Sequence, residues 1–457
     1  MTNSEAAPSA TLDALRVGSE VDLLFTDLLA NGQAVGRTAG LVVFCFGPLP
    51  GERARVRITT RKPTYGVGEL VQRTDASPDR TEPFCPVFGI CGGCQVQHLA
   101  YPAQLRWKRD LLRNALRRIG GIDAEVHETI GMRSPRAYRN KFSLVVERRA
   151  AGTAVGFYRA RSHEVVPIDR CPVVSPRLDE YIGIFANAPT DSPARSVLGD
   201  ARHVIARHAQ ATDEAVLAVT TPGRSEAVAA AAPALLKALP AAVGVVNSFE
   251  PPSANAVLGR RNKLLAGRAE IEESIGGIRY LVSAASFFQV NAEIVARIFA
   301  ALEGEPIARR VVDLYCGMGT FSLLFARRGA HVLGIEENRH AVAEAEVNAR
   351  RNNLHEAASF RTARVEDFTA SEEGRAALAA AELVFLDPPR KGSDAVTLGA
   401  IAAARVARVG YLSCDPATLA RDSKFLVANG YGLTSVQPFD MFPQTGHVEA
   451  LAVLQRT

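Results

Sequence analysis

The sequence predicts a multidomain α/β protein with an OB-like β-barrel first, an α+β domain next and a class I, Rossmann-like domain at the C-terminus. Three observations lead to this prediction. The chain has 457 residues, more than one hydrophobic core usually accommodates. Short alternating segments cut by glycine and proline fill residues 16–73, as in a compact barrel. From residue 291 onward, short apolar strands alternate with helices, which predicts a mostly parallel, doubly wound sheet.

Four segments are predicted along the chain. Residues 1–15 are predicted to be a short disordered lead. They are not predicted to be a signal peptide, because they lack its basic and then apolar layout. The barrel takes residues 16–73, the central α+β domain residues 74–290, and the Rossmann-like domain residues 291–457. No stretch approaches the roughly 20 apolar residues that a membrane span needs. We therefore expect a cytoplasmic protein without membrane association or an obligate protein partner.

Basic side chains concentrate at the start of the central domain. Four of them lie within nine positions, beside an aromatic residue: Arg133, Arg136, Arg139, Lys141 and Tyr138. Basic groups interleaved with aromatics suit a phosphate backbone with exposed bases, so this stretch is a candidate RNA-binding surface. A solvated surface explains the charges alone equally well, since the net charge is only +5.

A glycine turn follows the first strand of the C-terminal domain. Residues 311–320 read VVDLYCGMGT, an apolar strand entering a turn that opens a helix. Glycine lets the backbone approach a ligand closely, and the missing third glycine favours S-adenosylmethionine over a dinucleotide. Glu336 ends the next strand, where an acid can bind ribose hydroxyls. NAD binding or an ordinary sheet turn are the alternatives.

The fourth strand of this domain ends in LDPPRKG, residues 386–392. Ligands collect at such strand ends in open α/β sheets, which makes Asp387 a candidate contact. Methyltransferases that act on amino groups usually carry an aromatic residue after the two prolines. Arg390 stands there instead, so a ring carbon is the better target, although the segment could also be a rigid turn.

Cys414 follows the fifth strand and is the candidate nucleophile. Uracil C5 is a weak nucleophile, but a thiolate that adds to C6 turns C5 into an enolate carbon able to accept a methyl group. A base must then remove the C5 proton, and Glu449 at the start of the last strand is the candidate. A buried structural thiol is the alternative for Cys414.

The seven cysteines are too unevenly spaced, and odd in number, for a disulfide framework. Three lie close together and one is remote: Cys85, Cys91, Cys94 and Cys171. Four thiolates fit a [4Fe–4S] cluster or a structural zinc ion. Zinc sites more often pair two short C-x2-C units, so this spacing favours iron–sulfur.

Taken in order, these motifs resemble the bacterial RNA uracil-C5 methyltransferases, especially the 23S rRNA branch that carries a TRAM domain and an iron–sulfur cluster. The resemblance covers nearly the whole chain, and after the barrel it is carried by CPVFGICGGCQVQH, YRNK, SFFQVN, DLYCGMGTFS, DPPRKG, SCDPATLARD and HVEALAVL.

The resemblance implies a role for each motif residue. Cys414 would be the nucleophile and Glu449 the base, the four cysteines would hold the cluster, and Phe287 would stack on a base of the RNA. Five residues match cofactor contacts: Gln289, Tyr315, Thr320, Glu336 and Asp387. Some relatives have asparagine at Thr320 and at Ala363, so the adenine contacts near Ala363 could come from the backbone, Glu366 or Asp367.

We therefore expect methylation of uracil C5 in RNA, with 23S rRNA favoured. Three alternatives stay open at this point. Related enzymes act on tRNA, an amino-group methyltransferase would not need Cys414, and a non-catalytic RNA-binding protein would need neither Cys414 nor Glu449.

Overall fold

The computed structural model describes residues 16–38, 40–150, 152–253 and 256–457. The predicted disordered lead, residues 1–15, lies outside the described residues. The chain divides into two compact units. The first runs up to Trp107 and includes Gln444–Gly446, and the second comprises Lys108–Pro443 and His447–Thr457. The finer predicted boundaries at residues 73 and 290 stay predictions.

The first unit contains a closed five-stranded barrel, which confirms the predicted barrel fold. Its strands follow the order β1-β2-β3-β5-β4, and their bounds are β1 Glu20–Leu28, β2 Gln33–Thr38, β3 Leu41–Phe46, β4 Arg53–Arg61 and β5 Tyr65–Arg73. Side chains of β4 alternate between buried and exposed, as expected where one face of a strand meets a core. Gly68 allows the barrel to close, because a Cβ there would lie 2.0 Å from Cγ1 of Val56.

Gln444 completes this first unit from far along the chain. Its carbonyl oxygen accepts the backbone N–H groups of Gln95 and Val96, at 3.0 and 3.1 Å. Its side-chain oxygen accepts a 2.9 Å hydrogen bond from Nε2 of Gln104, and its backbone N–H donates to Oε1 of Gln104 at 3.0 Å. The fully buried Gln104 amide is thereby satisfied on both sides, and this fixes the segment to the barrel unit.

Helix α1, Tyr101–Ala115, is the predicted basic helix, and a π-helical turn over Leu116–Gly120 extends it. Gly121 ends it in a left-handed conformation with φ +66°, as glycine does at helix C-termini. Within α1, Lys108 forms a fully buried ion pair with Asp440, another residue of the second unit, and its ammonium also donates to the carbonyl oxygen of Phe442. In the described part of the chain, no helix is long and apolar enough to cross a membrane.

The second unit begins with a seven-stranded sheet in the order β12-β11-β10-β9-β6-β7-β8, and a separate hairpin pairs β13 with β14. Their bounds are β6 Lys141–Arg149, β7 Gly152–Tyr158, β8 Val165–Pro167, β9 His203–Ala209, β10 Glu214–Thr221, β11 Ala242–Phe249, β12 Arg261–Gly267, β13 Glu270–Ile275 and β14 Ile278–Ser283. Three helices accompany them: α2 Pro176–Ala186, α3 Pro193–Leu198 and α4 Glu226–Ala238.

A second seven-stranded sheet follows in the order β17-β16-β15-β18-β19-β21-β20. Its strands are β15 Arg310–Leu314, β16 His331–Glu336, β17 Ala358–Thr362, β18 Leu383–Leu386, β19 Arg408–Ser413, β20 Tyr431–Phe439 and β21 Glu449–Arg456. Strands β15 to β19 pair in parallel, while β21 runs antiparallel to β19 and β20. This confirms the predicted mostly parallel, doubly wound sheet.

Helices pack on both faces of this sheet. They are α5 Ala292–Glu303, α6 Thr320–Arg327, α7 Arg339–Arg351, α8 Val365–Ala370, α9 Glu372–Ala380, α10 Ala395–Ala404 and α11 Pro416–Ala428. Each face of the sheet has its own hydrophobic core, and alternate side chains of a strand enter different cores. In β18, Phe385 packs in one core, whereas Val384 and Leu386 pack in the other. The sheet is therefore buried on both sides, and its carboxyl edge is where side chains can reach a ligand.

Candidate active site

A cavity of about 1080 Å³ lies at the carboxyl edge of the second sheet. Eight of the residues that the sequence singled out line it: Phe287, Gln289, Tyr315, Thr320, Glu336, Asp387, Cys414 and Glu449. The four basic candidates at positions 133–141 are not among its lining residues. The proposed cofactor and catalytic residues thus converge on one pocket together with Phe287, whereas the four basic candidates lie elsewhere in the second unit.

The glycine turn after β15 forms one wall. Tyr315, Gly317 and Gly319 all have positive φ angles, of +65°, +55° and +84°. The space beside Gly317 is open, so its backbone is accessible to a ligand. The Glu336 carboxylate accepts the N–H of Gly317 at 3.1 Å and that of Asn338 at 2.8 Å, which fixes it at the end of β16. An open backbone turn beside a fixed acid suits a ribose-bearing cofactor.

A second wall is formed by the loop over residues 387–394. Ser393 lies 3.2 Å from the Tyr315 hydroxyl, and burial raises the pKa of Tyr315 to about 12, so the phenol stays neutral. The loop is held from below by Asp422, which accepts the Ser393 N–H at 2.9 Å and the Tyr411 hydroxyl at 2.6 Å. Asp422 is 1% exposed, and its contacts give the loop one fixed conformation.

Cys414 and Glu449 come together because of strand pairing. Ser413 at the end of β19 is in register with Ala450 near the start of β21, so the next residue on one strand faces the preceding residue on the other. Asp387 joins them from β18, whose Leu386 pairs with Tyr411 of β19. Cys414 is half-buried and Glu449 is 3% exposed.

The site is rich in buried carboxyl groups. Burial and the charges of Glu449 and Asp387 raise the pKa of the Cys414 thiol to about 11, although Arg390 opposes this. Burial, and then Asp387, raises the pKa of Glu449 well above its usual value. Burial, and then Asp313, raises the pKa of Asp387 to about 7. In the free protein at neutral pH, Cys414 is therefore a thiol, and the Glu449 carboxyl group binds a proton more tightly than an ordinary glutamate does.

Phe287 stands at the mouth of the pocket and is 78% exposed. Its segment is fixed from behind, because Asn140 donates to the carbonyl oxygen of Gln289 at 3.1 Å and Arg207 donates to that of Ser286 at 2.8 Å. A large exposed aromatic ring on a fixed segment is suited to stacking on a base.

Arg207 is a feature that sequence reasoning missed. It is 2% exposed, and two of its nitrogens, Nε and Nη1, have no hydrogen-bond partner. It lies in register with Lys141 on the neighbouring strand, and burial, Arg207 and Arg139 lower the pKa of Lys141 to about 8. Three cations therefore cluster beside the Phe287 segment, and no local sequence pattern reveals them, because Arg207 interrupts the apolar run of a strand whose residues are all buried.

The two remaining basic candidates, Arg133 and Arg136, are exposed, whereas Arg139 and Lys141 are half-buried. Arg139 donates to the carbonyl oxygen of Lys141 at 3.0 Å.

Ala363 does not line the pocket, but Glu366 does, and the Ala363 N–H donates to the backbone oxygen of Glu336. Of the suggested adenine contacts, Glu366 is the one whose position fits.

The four predicted cluster ligands are cysteines of intermediate exposure. Cys85, Cys91 and Cys94 belong to the first unit and Cys171 to the second, where its N–H donates to Asp179. Among the residues that the structure describes, no group of three or more His, Cys, Asp or Glu side chains is arranged to hold a metal ion. The iron–sulfur cluster stays a prediction of the sequence.

Comparisons with known proteins agree with this geometry. The family model described as tRNA (Uracil-5-)-methyltransferase matches residues 260–457, and the TRAM domain model matches residues 14–71. An uncharacterized RNA methyltransferase of Halalkalibacterium halodurans is 37% identical over 95% of this chain and 96% of its own length. Another from Gloeobacter violaceus is 38% identical over 97% of this chain and 98% of its own.

A solved structure shares the fold. The Pyrococcus abyssi tRNA (uracil-54, C5)-methyltransferase in complex with S-adenosyl-L-homocysteine matches with a TM-score of 0.73 and 24% identity, covering 95% of this chain and all of the other. The family match, the near full-length relatives and the predicted cofactor turn lead to one conclusion. The chain belongs to the tRNA (uracil-5-)-methyltransferase family and is an S-adenosylmethionine-dependent RNA methyltransferase with an N-terminal TRAM domain.

Proposed function

We propose that the protein methylates C5 of a uridine in 23S rRNA through covalent catalysis by Cys414 and proton abstraction by Glu449. One observation carries this proposal. The register of β19 with β21 sets a thiol against a buried carboxyl group of raised pKa, inside the pocket that carries the cofactor turn.

The residues of the pocket would have two roles, binding the cofactor and activating the uracil. Bound S-adenosylmethionine would supply the methyl group. Glu336 would hold its ribose, while Tyr315, Thr320, Asp387 and Gln289 would contact the rest of it. The Cys414 thiolate would add to uracil C6, so that the C5=C6 electron pair moves towards O4 and C5 becomes nucleophilic.

Glu449 would then take the C5 proton after C5 has gained the methyl group. The electron pair of the C–H bond re-forms the C5=C6 bond and expels the Cys414 thiolate, which restores the free enzyme. A carboxylate that is buried and faces another acid is a strong proton acceptor once it is ionised, because its pKa lies high.

Phe287 and the basic stretch would hold the RNA. The target base must leave its stack to reach Cys414, which costs a few kcal/mol and costs least in a loop. The exposed ring of Phe287 would stack on a base, and Arg133, Arg136, Arg139 and Lys141 would bind phosphates together with the TRAM barrel.

Trapping the covalent adduct tests the mechanism. The protein is incubated with S-adenosylmethionine and 5-fluorouridine-substituted 23S rRNA, whose fluorine cannot be removed by Glu449. We expect a stable adduct through the Cys414 peptide, seen by mass spectrometry, and none with Cys414→Ala. Methylation by Cys414→Ala would instead point to an amino-group methyltransferase, and RNA binding without any methyl transfer would point to a non-catalytic RNA-binding protein.

Mapping 5-methyluridine in a deletion strain tests the substrate. The order of motifs over the whole chain favours 23S rRNA, so one or two rRNA positions should lose their methyl group on deletion. Loss from the tRNA T-loop instead would assign the enzyme to tRNA.

We also propose that Cys85, Cys91, Cys94 and Cys171 bind a [4Fe–4S] cluster with a structural role, on the strength of their spacing in the sequence. Anaerobically purified protein should then absorb in the visible range and contain iron and sulfide in equal amounts. A colourless protein that contains zinc would identify a structural zinc site instead.

A further inference from the structure

Arg390 is a cation at the rim of the pocket without a carboxylate partner. It follows Asp387 by three residues, is exposed, and lines the same cavity as Cys414 and Glu449. Within the described ranges it forms no ion pair. Its Nη2 lies 3.2 Å from Nε2 and 3.4 Å from Nδ1 of the His447 ring.

His447 is suited to hold a cation because it is neutral. Burial and then Arg390 lower its pKa to about 4, with Lys108 and Arg139 acting in the same direction and Asp415 opposing them. A neutral ring has a nitrogen lone pair that can accept a hydrogen bond from a guanidinium. The ring also makes an edge contact with Phe442, with centroids 5.7 Å apart, which limits its rotation.

Arg390 opposes an otherwise acidic environment at the nucleophile. Cys414 faces Glu449 from β21 and Asp387 from the end of β18, and both carboxyl groups disfavour a negative sulfur. Arg390, from the loop after β18, favours it and lowers the pKa of the thiol, as does a backbone hydrogen bond at Cys414. Without this cation, forming a thiolate between two carboxyl groups would be harder still.

We propose that the Arg390 guanidinium, positioned by the neutral His447 ring, stabilises the Cys414 thiolate from which the attack on uracil starts. This rests on the proposed function. When the thiol proton has left to solvent, the sulfur pair forms the Sγ–C6 bond and the charge moves to uracil O4. When Glu449 later takes the C5 proton, the C6–Sγ bond breaks and the same cation receives the returning thiolate.

Alkylation of Cys414 tests this without RNA or cofactor. The full-length protein is treated with iodoacetamide between pH 7 and pH 10, and modification of the Cys414 peptide is quantified by mass spectrometry over time. Only the thiolate reacts. Removing a nearby opposite charge from a half-buried thiol raises its pKa by about one unit, so Arg390→Gln should react roughly tenfold more slowly at each pH below 10.

Three further variants separate charge from structure. Arg390→Lys keeps the charge and should stay within about threefold of the wild type. His447→Phe keeps a ring beside Phe442 but removes the acceptor, and should slow alkylation in the same direction to a smaller extent. Lys391→Gln removes a neighbouring exposed cation and should leave the Cys414 rate within about twofold.

Two results would overturn the inference: Arg390→Gln reacting like the wild type, or Arg390→Lys falling as far as Arg390→Gln. The covalent adduct with 5-fluorouridine RNA provides a separate readout, since it should form more slowly with Arg390→Gln. If the wild type forms no adduct while its alkylation depends on Arg390, the proposed function fails and the assignment of Arg390 to the thiolate stands.

Discussion

Asp313 lies fully buried below the glycine turn, where one of its oxygens accepts a hydrogen bond from Ser322 and the other has no partner. Burial raises its pKa to about 7, from 3.8. The folded state therefore holds this proton more tightly than the unfolded chain does. The resulting stability is fully present below about pH 4 and is lost as the pH rises to about 7.

The variant Asp313→Asn should remove this pH dependence. Three pKa units correspond to about 4 kcal/mol, an upper value for one buried group. Between pH 5 and pH 8 the melting temperature of the wild type should fall more steeply than that of Asp313→Asn, as measured by thermal unfolding. The exposed-site variant Asp123→Asn should follow the wild type. Parallel curves for Asp313→Asn and the wild type would show that Asp313 is not protonated in the folded protein.

Lys141 gives a prediction for RNA binding. Because its pKa is lowered to about 8, it loses its charge as the pH rises above 8, and a phosphate contact is lost with it. RNA affinity should fall by up to about tenfold per pH unit above 8. Lys141→Arg stays charged and should keep its affinity up to pH 9.5 in a filter-binding assay. A wild type as insensitive to pH as Lys141→Arg would exclude Lys141 from the RNA interface.

At the scale of elements, the sequence predicted the strands that are buried on both faces. Strands β15, β16, β18 and β19 read as short apolar runs bounded by turns, the pattern of parallel strands in a covered sheet. Strand β9 was not predicted, because His203, Arg207 and His208 interrupt its apolar pattern although all seven of its residues are buried. Groups from distant parts of the chain surround these polar side chains, so the local sequence does not show that the strand is buried.

The loop over residues 387–394 depends on one buried carboxylate. Asp422→Ala would leave the buried Tyr411 hydroxyl without its acceptor, at a cost of roughly 1–3 kcal/mol, and would leave the Ser393 N–H with only the Tyr411 hydroxyl oxygen at 3.1 Å. We expect a lower melting temperature and weaker binding of S-adenosylmethionine in calorimetry. Tyr411→Phe removes the hydroxyl but keeps the hydrogen bond from the Ser393 N–H to Asp422, so it should have a smaller effect. Unchanged cofactor affinity in Asp422→Ala would mean that this loop does not contact the cofactor.

At the scale of the whole molecule, the location of the pocket was predictable from the sequence. The strand order of the other seven-stranded sheet and the assignment of residues 444–446 to the first unit were not. Strand ends of a doubly wound sheet gather at one edge, so Asp387, Cys414 and Glu449 could be placed together from their positions in the sequence. The order of the other seven-stranded sheet, β12-β11-β10-β9-β6-β7-β8, depends on long-range pairing that local patterns do not encode. The assignment of Gln444–Gly446 to the first unit has no local signal either.

The salt dependence of RNA affinity should reveal how many RNA phosphates the basic side chains of the enzyme contact. The logarithm of RNA affinity should fall linearly with the logarithm of salt concentration. Replacing one phosphate contact, as in Arg133→Gln, should reduce the slope by about 0.7 for single-stranded RNA without changing which sequence is preferred. An unchanged slope would show that Arg133 is only a solvated side chain.

The partnership of Gln104 and Gln444 across 340 positions has a consequence for biosynthesis. Domains usually mature in the order in which they leave the ribosome. Here the first unit is completed only after Gln444 has been synthesised, because Gln444 forms hydrogen bonds with Gln95, Val96 and Gln104. Chains cut short before Gln444 would leave the backbone N–H groups of Gln95 and Val96 without this acceptor.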